Sequence, residues 1–278
     1  MNGLVRITLL AVGGAALGCG GSPGSRTAAA PPAPTPERLV YRPFATQYVA
    51  ASHGRVEQEF SGQAIVSEFS LRYYVSAEAV DFGDGMTVAL TVDSVPVAAG
   101  GGLLAAEAEA AAGTRFTGVL RPEGVIDGFT GGDSATALVR QLASGLERIF
   151  PQFPDGGVVP GQAWSDTLET VSPGAGFDIR IRVLTDHQAM AWTQYAQARA
   201  LHILSVARYT LSGRGLQGGS EISIEGSGVQ HSDRYVSADG RYLGGTSADT
   251  SRSTALVLAM GSSIPVTQLR FDTLAVVP

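Results

Sequence analysis

From Gln47 to Pro96 apolar and polar residues alternate through GRVEQEF, QAIVSEFSLRYYVSAEAVDF and MTVALTVDSV. Successive side chains of a strand point to opposite faces, so a period of two over such lengths predicts long antiparallel strands. A hairpin follows over Thr114 to Thr130, TRFTGVLRPEGVIDGFT. The period then changes. Between Asp133 and Phe150, Ala135, Leu138, Val139, Leu142, Leu146, Ile149 and Phe150 fall at spacings of three and four. That stripe predicts an amphipathic helix with one face on a sheet, capped by Asp133 or Ser134 and stopped by Pro151. After Trp164 alternation resumes through DIRIRVL, AMAWTQYAQAR, LHILSVARYTLSG, SEISIEGSGVQ, SDRYVS, GRYLGGTSA, STALVLAM and PVTQLRFDTLAVV. These read as about eight strands in a meander. The expected fold is mainly β: a long curved antiparallel sheet or sheets, with one principal helix, about 133–150, packed on the sheet.

Turn chemistry punctuates this pattern. Gly83-Asp84-Gly85 reads as a tight hairpin turn, with Asp84-Gly85 supplying the positive-φ positions. Asp81-Phe82-Gly83 repeats a kinase tripeptide, but the glycine-rich loop, lysine and catalytic loop that give it meaning are missing. Ala98 to Gly113 is low in complexity and rich in Ala and Glu, too short for a helix stable alone, and reads as a surface insertion or a flap. Pro122 to Gly128 and Ala238 to Gly244 share an acidic-Gly turn and a closing glycine, which leaves open two related β units.

The amino-terminal region follows other rules. Met1 to Arg6 carries one positive charge, and Ile7 to Gly18 is an apolar run of small residues without charge. This is an export signal in outline, too short for the roughly 20 residues of a spanning helix. Ala16-Leu17-Gly18-Cys19 resembles the lipobox of bacterial lipoproteins, in which the cysteine is acylated and becomes the new amino terminus. The resemblance implies cleavage before Cys19 and attachment to a membrane through Cys19. Two or more acyl chains make such anchoring effectively stable, at about 0.8 kcal/mol per buried methylene. Gly20 stands directly after Cys19, where relatives retained at the inner membrane carry aspartate, and this favours the outer membrane. From Gly20 to about Glu37 the chain is GGSPGSRTAAAPPAPTPE, a spacer that cannot bury enough apolar surface to fold. The expected organisation is therefore a signal peptide over 1–18, a lipid-anchored linker over 19–37, and a β-rich body over 38–278 with a subdivision near 155–165.

Composition removes several function classes. All 19 basic residues of the 278 are arginines, so every reaction that needs a P-loop, Schiff-base or acylase lysine is excluded. A formal net charge of −6 without a basic run argues against nucleic acid. A single cysteine cannot form an internal disulfide, and Cys19 has no neighbouring cation or histidine to activate it as a nucleophile.

The remaining motifs carry little chemistry. Gly20-Gly21-Ser22-Pro23-Gly24 matches a serine-hydrolase pattern, yet lies in the spacer and not between a strand and a helix. Gly213-Arg214-Gly215-Leu216-Gln217-Gly218 matches a dinucleotide fingerprint, but alternating SEISIEGSG follows it in place of a helix, so it reads as a hairpin. His53, His187, His202 and His231 lack the spacing of a metal site, and the polar neighbours in Asp186-His187 and His231-Ser232-Asp233 read as strand ends. No nucleophile with a nearby base is visible in the sequence. No catalytic, metal or cofactor-binding residue is assigned, and Cys19 is the one site residue.

Phe153-Pro154-Asp155-Gly156-Gly157-Val158-Val159-Pro160-Gly161-Gln162-Ala163-Trp164 resembles an F-P-x-x-x-V-x-x-G-x-x-W segment of uncharacterised bacterial envelope lipoproteins. The resemblance implies a fold and a compartment, with Gly161 permitting a sharp turn and Trp164 burying its ring beside the helix or stacking on a ligand. Two function classes fit. One is a non-enzymatic binding module enclosing an apolar ligand or lipid, similar at fold level to lipoprotein carriers in which a half-barrel wraps a helix. The other is a structural protein docking onto an envelope protein partner. A hydrolase is the remote third.

Overall fold

The computed structural model describes residues 37–60, 62–97, 102–132, 136–174, 177–217, 220–258 and 261–278. The signal and spacer expectations, Cys19 and the hydrolase-like pentapeptide lie outside the described residues, as do Asp133 and Ser134.

The body is mainly β. Its strands are β1 (Phe44–Phe60), β2 (Gln63–Phe82), β3 (Gly85–Ser94), β4 (Arg115–Leu120), β5 (Ile126–Gly131), β6 (Ala163–Gly174), β7 (Phe177–Tyr195), β8 (Ala198–Gln217), β9 (Ser220–Ser237), β10 (Tyr242–Val257) and β11 (Ser262–Val276). Helix α1 (Gly102–Ala111) lies between β3 and β4, and α2 (Ala137–Leu146) between β5 and β6. All strands join one antiparallel sheet of order β5-β4-β3-β2-β1-β11-β10-β9-β8-β7-β6. Two meanders, β1–β5 and β6–β11, are thus zipped together where β1 pairs with β11, from Tyr48↔Val276 to Gln58↔Val266.

The sheet is rolled. Along the order, β4 and β6 are nine strand spacings apart, which in a flat sheet would be about 43 Å. Yet the segment just after α2 touches both: the Phe153 amide donates to Glu123 O at 2.7 Å in the β4–β5 turn, and Trp164 Nε1 at the start of β6 donates to Gln152 O at 3.1 Å. Leu39 and Val158 exchange both main-chain bonds beside them, at 2.8 and 3.0 Å. The two edges therefore approach each other at this end, and one face of the sheet becomes an interior.

That interior is filled at one end only. Tyr48, Val75, Val88, Leu90, Phe116, Leu201 and Ile203 pack with Leu138, Val139, Leu142 and Leu146 of α2 and with Phe150 and Phe153 beyond it. Tyr41 stacks on Phe153 at 5.0 Å and meets Phe150 edge-on at 5.5 Å. Burying this many large side chains is the main stabilising term. The strands outrun it, because β7 to β11 are 15 to 20 residues long and a helix of 10 residues covers about 15 Å of that length.

Several local expectations are corrected. Helix α2 is capped by Thr136, whose hydroxyl accepts from the Val139 amide at 3.4 Å, and it ends at Leu146 with Glu147 as C-cap, before Pro151 is reached. The stretch read as an insertion or flap contains α1, which packs on α2 and β3 and buries Ala108 and Ala111 in the core. Tertiary burial stabilises a helix that propensity alone would not. The β2–β3 turn is the pair Gly83-Asp84, with Phe82↔Gly85 closing the ladder and Gly83 at φ +61°, one position earlier than the expected Asp84-Gly85. Beyond residue 162 six strands replace eight, because the polar stretches 185–188, 231 and 249–252, read as breaks, lie inside β7, β9 and β10. The dinucleotide-like glycines Gly213 and Gly215 lie within β8, and strand β9 follows.

Candidate functional site

Pairing register sorts every strand residue onto the interior or the outer face. One interior row, His187–Ser205–Ser232–Ser247–Asp272–Ser52, runs across β7 to β11 and onto β1 as consecutive cross-strand partners. It marks the rim of the packed core. Small hydroxyl side chains fit there because the row lies beside α2, and Ser52, Ser205 and Ser232 are buried.

On the core side of that row lies Ile203–Arg234–Gly245–Leu274–Ala50, an apolar row interrupted by one arginine. On the far side, Tyr209 reaches over Gly228 to Asp249, and Arg270 Nε donates to Asp272 Oδ1 at 2.8 Å and to Ser52 Oγ at 3.1 Å. Burial raises the Asp249 carboxyl above the ordinary range, opposed by the Tyr209 hydrogen bond and the Arg270 charge. Farther out the same face carries Val183, Ile181, Leu211, Ile224, Val266 and Ile65, with Ser253 and Gln58 between them. These side chains remain part-exposed, and Ile65 is 52% exposed.

A cavity of about 250 Å³ opens where α2 meets this face. Leu142, Gly145, Leu146, Arg148 and Ile149 form the helix side, and Tyr73, Arg234, Tyr242, Ser247, Arg270 and Asp272 form the sheet side. Three guanidinium groups thus face it with one carboxylate, and that carboxylate is committed to Arg270. Among the described residues Arg148 and Arg234 have no carboxylate partner.

An open trough of about 860 Å³ lies on the outer face, lined by Arg182, Leu184, Arg208, Val229 and Arg252. Its charges are mostly spent: Arg182 meets Glu169 at 3.4 Å and Arg208 meets Asp186 at 2.7 Å. The Asp186 carboxyl is held below its ordinary range by the Ser165 hydroxyl and then by Arg208. Phe271 and Leu269 are exposed on this face, but Arg55 and Thr250 flank Leu269 in its row, so the apolar area is broken up.

The histidines separate by face. His53 and His231 are exposed on the outside. His202 Nε2 bonds Asp233 Oδ1 at 2.8 Å and its ring stacks on Tyr235 at 4.8 Å. His187 points inward, with Nδ1 2.7 Å from Ser205 Oγ and Nε2 2.7 Å from Asp166 Oδ2, under the ring of Trp164 at 4.9 Å. Asp186-His187 and His231-Ser232-Asp233 are therefore mid-strand, not strand ends. Among the described residues no group of three metal-ligating side chains converges.

Ser205, His187 and Asp166 form a hydroxyl–imidazole–carboxylate chain that the sequence reading did not find. With Nε2–H donating to Asp166, Nδ1 is the acceptor and Ser205 the donor. The parts for generating an alkoxide are present. Ser205 sits in the middle of β8, whose ladders to β7 and β9 run in register through it, so no pair of free backbone amides faces its oxygen.

Neither a protein-family model nor a curated protein matches the chain. Among solved structures, that of DynF from the dynemicin biosynthesis pathway of Micromonospora chersina aligns over 87% of this chain and 85% of that one, at 9% identity and a TM-score of 0.24. At that score the likeness carries no argument.

Proposed function

We propose that this chain is a lipid-anchored envelope protein whose rolled sheet carries an apolar ligand or lipid. One observation supports the carriage: beyond α2 the interior wall presents aliphatic side chains, from Val183 and Ile181 to Ile224 and Val266, that stay part-exposed, with Ser251, Gln268 and Ser253 between them. An interior face lined with aliphatic side chains costs free energy in water unless something covers it, at roughly 25 cal/mol per Å². A cavity of about 250 Å³ opens on the same face where α2 meets the sheet, and a long ligand can fill it with one end while lying along the strands with the other. The anchor rests on the lipobox-like Ala16 to Cys19.

Mass spectrometry of organic extracts from the purified chain tests the carriage, and the expected result is a stoichiometric lipid. An empty protein that also fails to take up a fluorescent fatty acid ends this reading and leaves docking onto an envelope partner. Cys19→Ala is expected to move the chain from vesicle pellets to the supernatant. Equal sedimentation of parent and variant removes the anchor.

A second reading, an acyl hydrolase, has the Ser205–His187–Asp166 chain in its favour. A fluorophosphonate probe decides: the carrier reading expects no adduct on Ser205, and an adduct lost in Ser205→Ala establishes the hydrolase.

A further inference from the structure

We propose that the ligand is an amphiphile with an anionic head, held at the α2 cavity by Arg234 and Arg148 while its tail lies along the apolar interior wall. This rests on the carriage reading and adds the chemistry of the head group.

The argument begins with Arg234. It stands in an otherwise apolar row, between Ile203 and Gly245, on the side of the serine rim where the core packs. A cation in such a place is informative, because a half-buried guanidinium is costly unless a charge or strong acceptors meet it. No carboxylate among the described residues does so. Its neighbours Tyr41 and Tyr242 are buried hydroxyls whose titration is pushed up by that burial, so they do not supply negative charge at neutral pH. Arg148, just past the end of α2, faces the same cavity from the opposite wall. The helix carboxyl terminus accounts for part of the preference for a cation there, but it does nothing for Arg234.

The remaining charges have partners. Arg270 is tied to Asp272 and Ser52, and Asp249 to Tyr209. Inserting a phosphate or carboxylate between Arg234 and Arg148 therefore disrupts no existing pair. Arginine suits this role because its planar fork donates in pairs to the oxygens of such anions. The cavity volume, about 250 Å³, admits a head group and not a whole lipid. From there the apolar wall leads away from the core, past Tyr209 and Val56 to Leu211 and Val266. One end of the ligand is thus selected by charge and the other by length.

Titration calorimetry on the full chain tests this with three probes: dodecyl phosphate, neutral monolauroylglycerol and inorganic phosphate. Dodecyl phosphate is expected to bind at least about tenfold more tightly than monolauroylglycerol, the effect of one or two charged hydrogen bonds. Arg234→Gln should weaken dodecyl phosphate by about tenfold to a hundredfold and leave monolauroylglycerol unchanged. The unchanged neutral probe also shows that the variant is folded. Arg208→Gln, in the outer trough, should change neither. Equal affinities for the two dodecyl compounds, or an Arg234→Gln effect shared by both, overturn the anionic head and leave carriage standing. Failure of both dodecyl compounds to bind overturns carriage itself. Inorganic phosphate binding as tightly as dodecyl phosphate means the site takes a free anion, and the amphiphile is overturned.

Discussion

The Tyr209 hydroxyl donates to Asp249 Oδ1 at 2.9 Å across an intervening strand, its ring passing over Gly228. Tyr209 is on β8, Gly228 is its direct partner on β9, and Asp249 is on β10. Glycine is what the geometry requires, because a Cβ at position 228 would run into the ring. Gly228→Ala is therefore expected to lose about 1–3 kcal/mol through overpacking. In a Tyr209→Ala background the same glycine change should cost much less, since the colliding ring is gone. Urea denaturation of the four members of this cycle measures the coupling, and additive losses would show that the ring does not sit there.

Asp249 gives the interior a pH dependence of definite sign. Its carboxyl is raised by burial, against the pull of Tyr209 and Arg270, with Asp272 adding in the same direction as burial. Above its ordinary pKa the unfolded chain has released this proton while the folded chain still holds it. Stability from this group is therefore lost as pH rises from about 4 through the raised value. Asp249→Asn keeps an acceptor for Tyr209 and removes the ionisation. The difference in stability between variant and parent should grow as pH rises above about 4 and level off once the raised value is passed. Subtracting the parent cancels groups such as Asp186, whose lowered pKa acts with the opposite sign. A pH-independent difference would contradict the assignment.

Much of this body was legible in the alternation of apolar and polar residues, because a period of two reports an antiparallel face directly. Helix α2 was legible too, since Leu138, Val139, Leu142 and Leu146 repeat at helical spacing and are all buried. What alternation cannot carry is register. His187 and Ser205 are 18 positions apart, and only the β7–β8 hairpin with its irregularity at Ala189/Trp192 sets them opposite each other. Arg234 looked like any arginine in a strand until its row neighbours Ile203 and Gly245 were known. Strand β6 was missed because its large apolar residues Trp164, Leu168 and Val171 are spaced four and three apart and show no period of two. Gly213 and Gly215 looked like a hairpin loop but lie inside β8, whereas Gly226 and Gly228, legible as part of a strand, are there for close packing against Ser253 and Tyr209.

The tyrosines provide a global probe of the packed end. Burial raises the hydroxyls of Tyr41 and Tyr48 well above the ordinary value, raises Tyr73, Tyr195, Tyr235 and Tyr242, and pushes Tyr209 up to about 12. Each folded pKa exceeds the unfolded one, so the stability these groups contribute is intact below about pH 10 and is lost as pH climbs past it. Absorbance at the phenolate band should stay well under the value for the unfolded chain at about pH 11. It should then rise together with loss of the β signal in circular dichroism. A smooth titration centred near 10 and independent of unfolding would show that these rings are solvated.

The rolling of the sheet can be tested at one glycine. Gly124, in the β4–β5 turn, has φ +94°, and a Cβ there would press on Pro151 O and the Tyr41 ring, the contacts that draw this edge toward the segment after α2. Gly161, in the turn before β6, has a similar φ of +84° but open space around it. Both alanine variants bear the left-handed strain of about 1–2 kcal/mol. Only Gly124→Ala adds the cost of displacing Pro151 and Tyr41, a further 1–3 kcal/mol or so. The Tyr41 hydroxyl donates to Pro151 O at 3.0 Å, so the same substitution disturbs a buried hydrogen bond. Gly124→Ala is therefore expected to be the more destabilised of the pair in urea, and to become protease-sensitive between β5 and β6. Equal losses would mean that the two edges do not meet through this segment, and the interior that the ligand argument uses would not exist.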